Sequence, residues 1–305
     1  MLNIKGLVVA PFTAFKEDGS LDIERVAAQQ QYYKDNGITG VFACGTTGEG
    51  SALTMCEKKA LLKEWCKYKE ENFAIIAFLG GTSTRECIEL AQYACECGAD
   101  AVAMTAPYYQ KAANVKDLAL TLAEVAASVP EMPFFFYHIP CLTNVNFPIY
   151  ALLKEVDALI PNFAGIKYTF ESLYEYNQCR LYGNGKFDML HGQDETYLPS
   201  LAQGGAKGGI CGTTNYNGRV QVAIGEAWEK GDLAKAQELQ NYSQEVINVI
   251  CHFRGNIVGG KRIMKLIGLD LGPNRVPWRN MTDEEEAALK AELEAIDFFN
   301  HCNIL

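Results

Sequence analysis

The strongest constraint on the fold is a repeated alternation of short apolar runs with longer amphipathic segments. Eight runs resemble strands: residues 6–12, 40–44, 73–79, 101–106, 133–139, 163–169, 187–192 and 206–212. They recur roughly every 20 to 35 residues, the repeat of one βα unit. Eight units close a (β/α)8 TIM barrel, whose usual length of ~250 residues fits within this chain. An open doubly wound sheet is the alternative, but no GxGxxG follows the first run.

Helix start and stop signals lie between the apolar runs. Capping boxes at residues 54–57 and 83–86 each precede an amphipathic segment, and Gly98 marks a helix end. We therefore expect a helix after each of these runs, as the barrel requires.

After about residue 225 the strand-like runs stop and three helical patterns follow. The first is a long amphipathic segment over residues 224–253, which we interpret as one helix. We expect a catalytic barrel over residues 1–225 and a C-terminal helical extension over residues 226–305 that packs on it.

Composition excludes several classes of partner. The net charge of −10 argues against nucleic acid or an anionic membrane surface. No run reaches ~18 apolar residues, so we expect no membrane span. The N-terminal segment lacks the basic start and long apolar core of a signal peptide. The 11 scattered cysteines, with no CxxC, indicate reduced thiols, a cytoplasmic location and no metal site.

Lys167 is the one charged residue in the apolar run FAGIKYT. Side chains alternate along a strand, so Gly165 and Lys167 point into the lumen. The apolar set Ala164, Ile166 and Tyr168 then faces the helices. An ammonium buried there is poorly solvated, so its pKa falls from ~10.4 and a neutral amine can form a Schiff base with a ketone. A lysine at the barrel rim, or paired with a lumen carboxylate, is the alternative.

Tyr137 lies one strand earlier. By the same alternation Phe135 and Tyr137 face the lumen, which puts the phenol beside Lys167. The chain turns at Pro140, so Tyr137 stands at a strand end and can pass protons to reacting oxygens. His138 has the opposite parity, and we interpret it as a structural histidine between strand and helix.

Two loops after strands carry further polar groups. In CGTTGEG, residues 44–50, glycines allow an anion nest, and Thr46 and Thr47 add hydroxyl donors. Without GK[ST] the loop suits a carboxylate better than a polyphosphate, and a plain glycine turn is the alternative. Asp194 and Glu195 follow the seventh run, where they can bond sugar hydroxyls or begin a helix.

The ordered set GTTGEG, APYY, YHIP, GIKYT, GQDE and GGICGTTN resembles the family of N-acetylneuraminate lyases and dihydrodipicolinate synthases. These are class I (Schiff-base) pyruvate aldolases. MPFFFYHIPCLTNV with GTTGEG looks most like the sialic-acid lyases of the animal type. The resemblance implies a (β/α)8 barrel with a three-helix C-terminal extension, usually a homotetramer, that needs no metal or organic cofactor.

The resemblance also implies roles for single residues. Lys167 resembles the Schiff-base lysine that holds pyruvate, and Tyr137 resembles the proton shuttle. Thr46 and Thr47 resemble the pair that holds the pyruvate carboxylate. Contacts to the sugar hydroxyls and N-acyl arm are implied for Thr169, Gly192, Asp194 and Glu195. The implied reaction is reversible cleavage of N-acetylneuraminate, a small-molecule substrate, to pyruvate and N-acetylmannosamine.

The chain departs from the family pattern at three positions. Gly212 falls where many members have a substrate-binding serine, so this contact is lost or is made by Thr213. Tyr109 resembles a tyrosine that the synthases send across a subunit interface and that some lyases lack. Leu142 stands where the synthases have an arginine for a second carboxylate, which favours the lyase. Another 2-keto-acid aldolase and a catalytically silent binding barrel are the remaining alternatives.

Overall fold

The computed structural model describes residue 4 and residues 6–204 and 208–305. Eight strands of these residues form one closed parallel barrel in sequence order. The strands are β1 Gly6–Val9, β2 Gly40–Ala43, β3 Ala74–Phe78, β4 Ala101–Thr105, β5 Phe134–His138, β6 Phe163–Tyr168, β7 Asp188–His191 and β8 Gly208–Cys211. The predicted (β/α)8 barrel is confirmed.

Helices follow the strands and continue beyond the barrel. Those of the described residues are α1 Arg25–Asp35, α2 Met55–Cys66, α3 Thr84–Cys97, α4 Val115–Ala126, α5 Pro140–Thr143, α6 Ile149–Leu159, α7 Leu173–Leu181, α8 Tyr197–Ala202, α9 Thr214–Glu229, α10 Leu233–His252, α11 Lys261–Leu266, α12 Asp283–Ala295 and α13 Phe298–His301. None of them combines the length and the apolar character that a membrane span requires. The box predicted at residues 54–57 caps α2, and Gly98 ends α3 in the left-handed region with φ 81°.

Each predicted strand is present but shorter than its apolar run, because the last residues leave the ladder to build loops. β1 ends two residues before Pro11, which has no N–H to donate. Residues 206 and 207 of the eighth run lie outside the described residues.

The core has an outer part between strands and helices and an inner part in the lumen. The lumen cluster consists of Ile4, Val8, Phe42, Ile76, Ala101, Ala103, Phe135, Tyr137, Ile139, Ala164, Leu190 and Ile210. Ala164 belongs to it, so the prediction that this residue faces the helices is wrong. Phe134 pairs with Phe163 and Phe135 with Gly165, which leaves Ala164 as the extra residue of a β-bulge.

The prediction of one helix over residues 224–253 is also wrong. α9 ends at Glu229 and α10 begins at Leu233. Between them Gly231 adopts a left-handed φ of 74°, and the Asp232 side chain accepts the N–H of Lys235 as an N-cap. α9 runs through residue 225, and the division of the chain there into barrel and extension remains a prediction.

A buried ion pair ties the extension to the loop after β2. Lys261 Nζ lies 3.0 Å from Glu49 Oε1, and the two side chains are 2% and 1% exposed. Asn274 Nδ2 donates to Glu49 Oε1 at 3.0 Å, and the N–H of Arg275 donates to Oε2 at 2.8 Å. The loop that carries Thr46 is therefore held in place by residues about 210 to 225 positions away in the chain.

Candidate active site

Lys167 and Tyr137 meet at the carboxyl end of the barrel. They are direct partners in the β5–β6 register. Lys167 Nζ lies 4.1 Å from the ring centroid of Tyr137 and 4.1 Å from that of Phe42. Lys167 is only 4% exposed and makes no ion pair with a described carboxylate. Neither a rim position nor a lumen salt bridge accounts for it.

The surroundings of Lys167 favour its neutral form. Burial lowers the pKa of its amine to about 7, while the negative charge of Asp194 acts more weakly in the opposite direction. About half of the molecules then hold a neutral amine at pH 7, against roughly one in three thousand for an unperturbed lysine. This amine is a competent nucleophile for a carbonyl carbon.

The Tyr137 phenol stays protonated beside this amine. Burial raises its pKa to about 12, and hydrogen bonds with Thr46 and Thr169 act more weakly to lower it. The ring meets Phe42 and Phe78 edge to face, with centroids 5.5 and 5.6 Å away. The phenol is thus fixed in orientation and linked to both flanking loops, as a proton relay requires.

The loop after β2 is built to hold its threonines rigidly. Thr13 Oγ1 donates to the carbonyl of Gly48 at 2.6 Å. A Cβ on Gly50 would lie 1.8 Å from the carbonyl oxygen of Cys44, so only glycine fits there. Thr47 is largely buried, and its hydroxyl accepts the Nδ2–H of Asn256 at 3.4 Å.

Asp194 and Glu195 have different surroundings although they are adjacent. Asp194 Oδ2 accepts the N–H groups of Gly212 and Thr213, both at 3.3 Å, and Oδ1 accepts Gln221 Nε2 at 2.7 Å. This carboxylate braces the loop after β8. Glu195 accepts one side-chain bond, from Gln193 Nε2 at 3.3 Å, and burial raises its pKa. Glu195 therefore has more capacity left for a ligand.

Two predicted glycines leave space that their neighbours use. A Cβ on Gly192 would lie 2.0 Å from Thr169 Oγ1, and one on Gly212 would lie 2.5 Å from Asn256 Nδ2. The Thr213 hydroxyl accepts Gln221 Nε2 at 2.8 Å and is buried. Thr213 is thus part of the framework rather than the cavity wall.

A cavity of about 480 Å³ opens at this end of the barrel, lined among others by Thr46, Tyr137, Leu142, Ile257 and Trp278. Leu142 is 58% exposed and Tyr109 is 87% exposed. A larger cavity of about 700 Å³ touches the amino ends of β1 and β7, and none of the predicted site residues lines it. Of the predicted site residues, Thr46 and Tyr137 line the smaller cavity; Lys167 does not line it but contacts the Tyr137 ring.

His138 is the last residue of β5, and its side chain lies on the outer face of the barrel. Its ring packs 5.2 Å from Tyr168 and edge to face on Phe170, and burial lowers its pKa to about 4. It is neutral at pH 7 and does not reach the lumen. Among the described residues no cluster of His, Cys, Asp or Glu has a metal-binding arrangement.

Three residues of the site were missed in the sequence. Phe42 and Thr105 face the lumen from β2 and β4, and strand alternation would have found both. The Thr105 hydroxyl, on the residue paired with Tyr137, is buried without a hydrogen-bond partner among the described residues. Asn256 carries no such signal, because it enters the site from beyond α10.

This barrel, with a buried amine, a phenol and a threonine loop at its carboxyl end, is similar to known proteins. The model of the dihydrodipicolinate synthetase family matches residues 3–296, and the chain belongs to that family. The N-acetylneuraminate lyase of Mus musculus is 34% identical over 302 residues, covering 98% of this chain and 94% of that protein.

Solved structures agree on the fold. An N-acetylneuraminate lyase of Proteus mirabilis superposes with a TM-score of 0.93 at 29% identity, covering 97% of this chain and 100% of the other. A dihydrodipicolinate synthase from Aquifex aeolicus reaches 0.88 at 28% identity, covering 97% and 99%. The fold thus defines the family, and the site must distinguish the two activities.

Proposed function

We propose that this chain is a class I aldolase that cleaves N-acetylneuraminate reversibly to pyruvate and N-acetylmannosamine. The observation that carries the proposal is the buried Lys167 amine, with a pKa of about 7, beside the Tyr137 phenol. The vertebrate relatives named N-acetylneuraminate lyase, at about 34% identity over nearly the full chain, support the choice of substrate.

The proposed cleavage reaction uses the Lys167 amine as nucleophile and the Tyr137 phenol as proton relay. The neutral Lys167 amine attacks the keto carbon of the open-chain sugar acid and loses water to form an imine, which acts as an electron sink. The bond between the third and fourth carbons then breaks as the 4-hydroxyl gives up its proton, relayed by Tyr137 and the substrate carboxylate. Protonation of the enamine and addition of water release pyruvate and restore the amine.

In this proposal the remaining residues bind the substrate or support the residues that do. Thr46 and Thr47 hold the carboxylate of the pyruvate moiety. Glu195, with its raised pKa and single side-chain bond, contacts sugar hydroxyls. Asp194 positions the loop after β8, and three residues complete the wall around the sugar: Thr169, Gly192 and Gly212.

Dihydrodipicolinate synthesis is the rival activity on this scaffold. It needs a cation for the carboxylate of aspartate semialdehyde, and the apolar Leu142 stands exposed at the cavity mouth where that cation is expected. Another 2-keto-acid aldolase remains the second candidate. Faster turnover of a different keto-sugar acid than of N-acetylneuraminate would favour it.

The direct test is pyruvate release from N-acetylneuraminate. The wild-type chain should release pyruvate, Lys167→Ala should not, and Lys116→Ala, at an exposed position on α4, should match the wild type. Borohydride with pyruvate should label Lys167 irreversibly. A label on another residue, or release by Lys167→Ala, would reject the proposal.

We infer a cytoplasmic homotetramer from the family resemblance and from the free thiols of the described cysteines. Light scattering should give about four times the 33.7 kDa of one chain. A monomeric mass would contradict the tetramer.

A further inference from the structure

Asn256 reaches the site from an unusual backbone segment. It begins a π-helical turn over residues 256–260, and Ile257 in this turn lines the catalytic cavity. Arg254 just before it has a left-handed φ of 63°, as does Gly255 with φ 71°. Single π-helical turns and strained non-glycine residues concentrate at functional sites, where the surrounding structure holds the strained conformation.

The Asn256 side chain links a buried phenol to the threonine loop. Tyr216 is fully buried, and its hydroxyl donates to Asn256 Oδ1 at 2.8 Å. Asn256 Nδ2 donates in turn to Thr47 Oγ1 at 3.4 Å. Because the Thr47 oxygen accepts this bond, its own proton is free to point away from Asn256. A hydroxyl that accepts one hydrogen bond is also a better donor in the next.

Two glycines make room for this amide. A Cβ on Gly212 would lie 2.5 Å from Asn256 Nδ2, and a Cβ on Gly260 would lie 2.4 Å from Asn256 Oδ1. The amide thus occupies the space that a side chain at position 212 would need. A serine at position 212 would therefore have to displace this amide.

We propose that Asn256 is a positioning residue for the keto-acid carboxylate, acting through Thr47. The chain of bonds from Tyr216 through Asn256 orients the Thr47 hydroxyl so that its proton meets the anion. The inference rests on the proposed function, because it needs pyruvate to bind beside Lys167. It adds a residue from outside the barrel strands to the carboxylate site.

Pyruvate dependence of borohydride labelling at Lys167 tests this role. Asn256→Ala removes the donor to Thr47, and the half-saturating pyruvate concentration should rise about tenfold. In Asn256→Asp the aspartate side chain has the same shape as asparagine, but it accepts the Thr47 proton and repels the pyruvate carboxylate. The half-saturating pyruvate concentration should therefore rise at least threefold more than in the alanine variant. The maximal labelling rate should change much less than the half-saturating concentration. The matched control is Asn241→Ala, an exposed asparagine on α10, which should match the wild type.

A swap at positions 212 and 256 provides a second measurement. Gly212→Ser alone displaces the Asn256 amide and should weaken pyruvate binding about as much as Asn256→Ala. Combined with Asn256→Ala, the serine no longer meets the amide, and its Cβ lies 3.1 Å from Thr47 Oγ1, close enough for its hydroxyl to contact the threonine. Pyruvate binding should then return to within about threefold of the wild type. If the losses of pyruvate affinity in the two single variants multiply in the double variant, the two side chains do not compete for the same space and the proposal is overturned.

The outcomes separate the two proposals. If wild-type Lys167 is not labelled with pyruvate, the proposed function fails. If Lys167 is labelled and the Asn256 variants keep the wild-type pyruvate dependence, or Asp is no worse than Ala, only the role of Asn256 is overturned.

Discussion

Replacing Glu49 by glutamine tests how the extension supports the site. The carboxylate accepts bonds from Lys261, Asn274 and the N–H of Arg275, whereas the amide has one oxygen and presents an N–H group to one of these donors. The change also leaves a buried ammonium without its counter-charge. Breaking a buried pair in this way costs about 3–5 kcal/mol. With an unfolding entropy of about 2.1 cal/mol/K per residue, the melting temperature of this chain should fall by about 5–8 °C.

Calorimetry of Glu49→Gln measures this fall. The control is Glu294→Gln, which breaks the exposed 3.7 Å pair with Lys290 and should shift the melting temperature by less than about 1 °C. Burial lowers the folded-state pKa of Lys261 to about 8. Glu49 acts against this burial effect, so its loss lowers the folded-state pKa of Lys261 further. The folded variant then releases the Lys261 proton at lower pH than the wild type does, so the deficit should shrink as pH rises towards about 8 and stay constant above it. A fall no larger than that of the control, or a deficit that grows with pH, would refute the reasoning.

Three further results follow from the site. Tyr137→Phe should keep pyruvate labelling at Lys167 but slow cleavage about 10²–10⁴-fold, as single-turnover kinetics would show; equal losses in both steps would contradict the relay role. Gly192→Ala places a Cβ 2.0 Å from Thr169 Oγ1 and should raise KM for the sugar acid with little change in pyruvate labelling. Burial lowers the pKa of His138 to about 4, so the folded state resists protonation and stability should fall as pH drops from 6.5 to 4. His138→Gln should flatten this dependence in thermal melts, whereas His252→Gln, at an exposed position, should not.

Hydrophobic periodicity was sufficient to predict the barrel. One face of each strand packs against the helices and the other faces the lumen. Alternation therefore placed Lys167 and Tyr137 on the lumen face, and the strand register makes them direct partners. It failed at Ala164, because a bulge inserts one residue and moves it to the opposite face. Nothing in the alternation of a single strand encodes such a shift, which depends on pairing with the neighbouring strand.

Long-range contacts were the other limit. Gly231 ends one helix and Asp232 caps the next, although the amphipathic pattern of the segment continues across both residues. These local signals decided the helix boundary against the hydrophobic periodicity. Asn256 bonds Thr47 across 209 positions of sequence, through a π-helical turn that no periodicity predicts. The glycine at position 212 was visible in the sequence, but the Asn256 amide beside it was not.

The central claim is that burial keeps the Lys167 amine largely neutral at physiological pH. Its most direct test is the rate of borohydride-trapped imine formation at low pyruvate, where attack by the amine limits the rate, measured from pH 6 to 9. The rate should follow the neutral fraction, about one tenth at pH 6 and nine tenths at pH 8, with an apparent pKa of about 7. A rate that still climbs about tenfold per pH unit up to pH 9, as an ordinary lysine requires, would contradict the account.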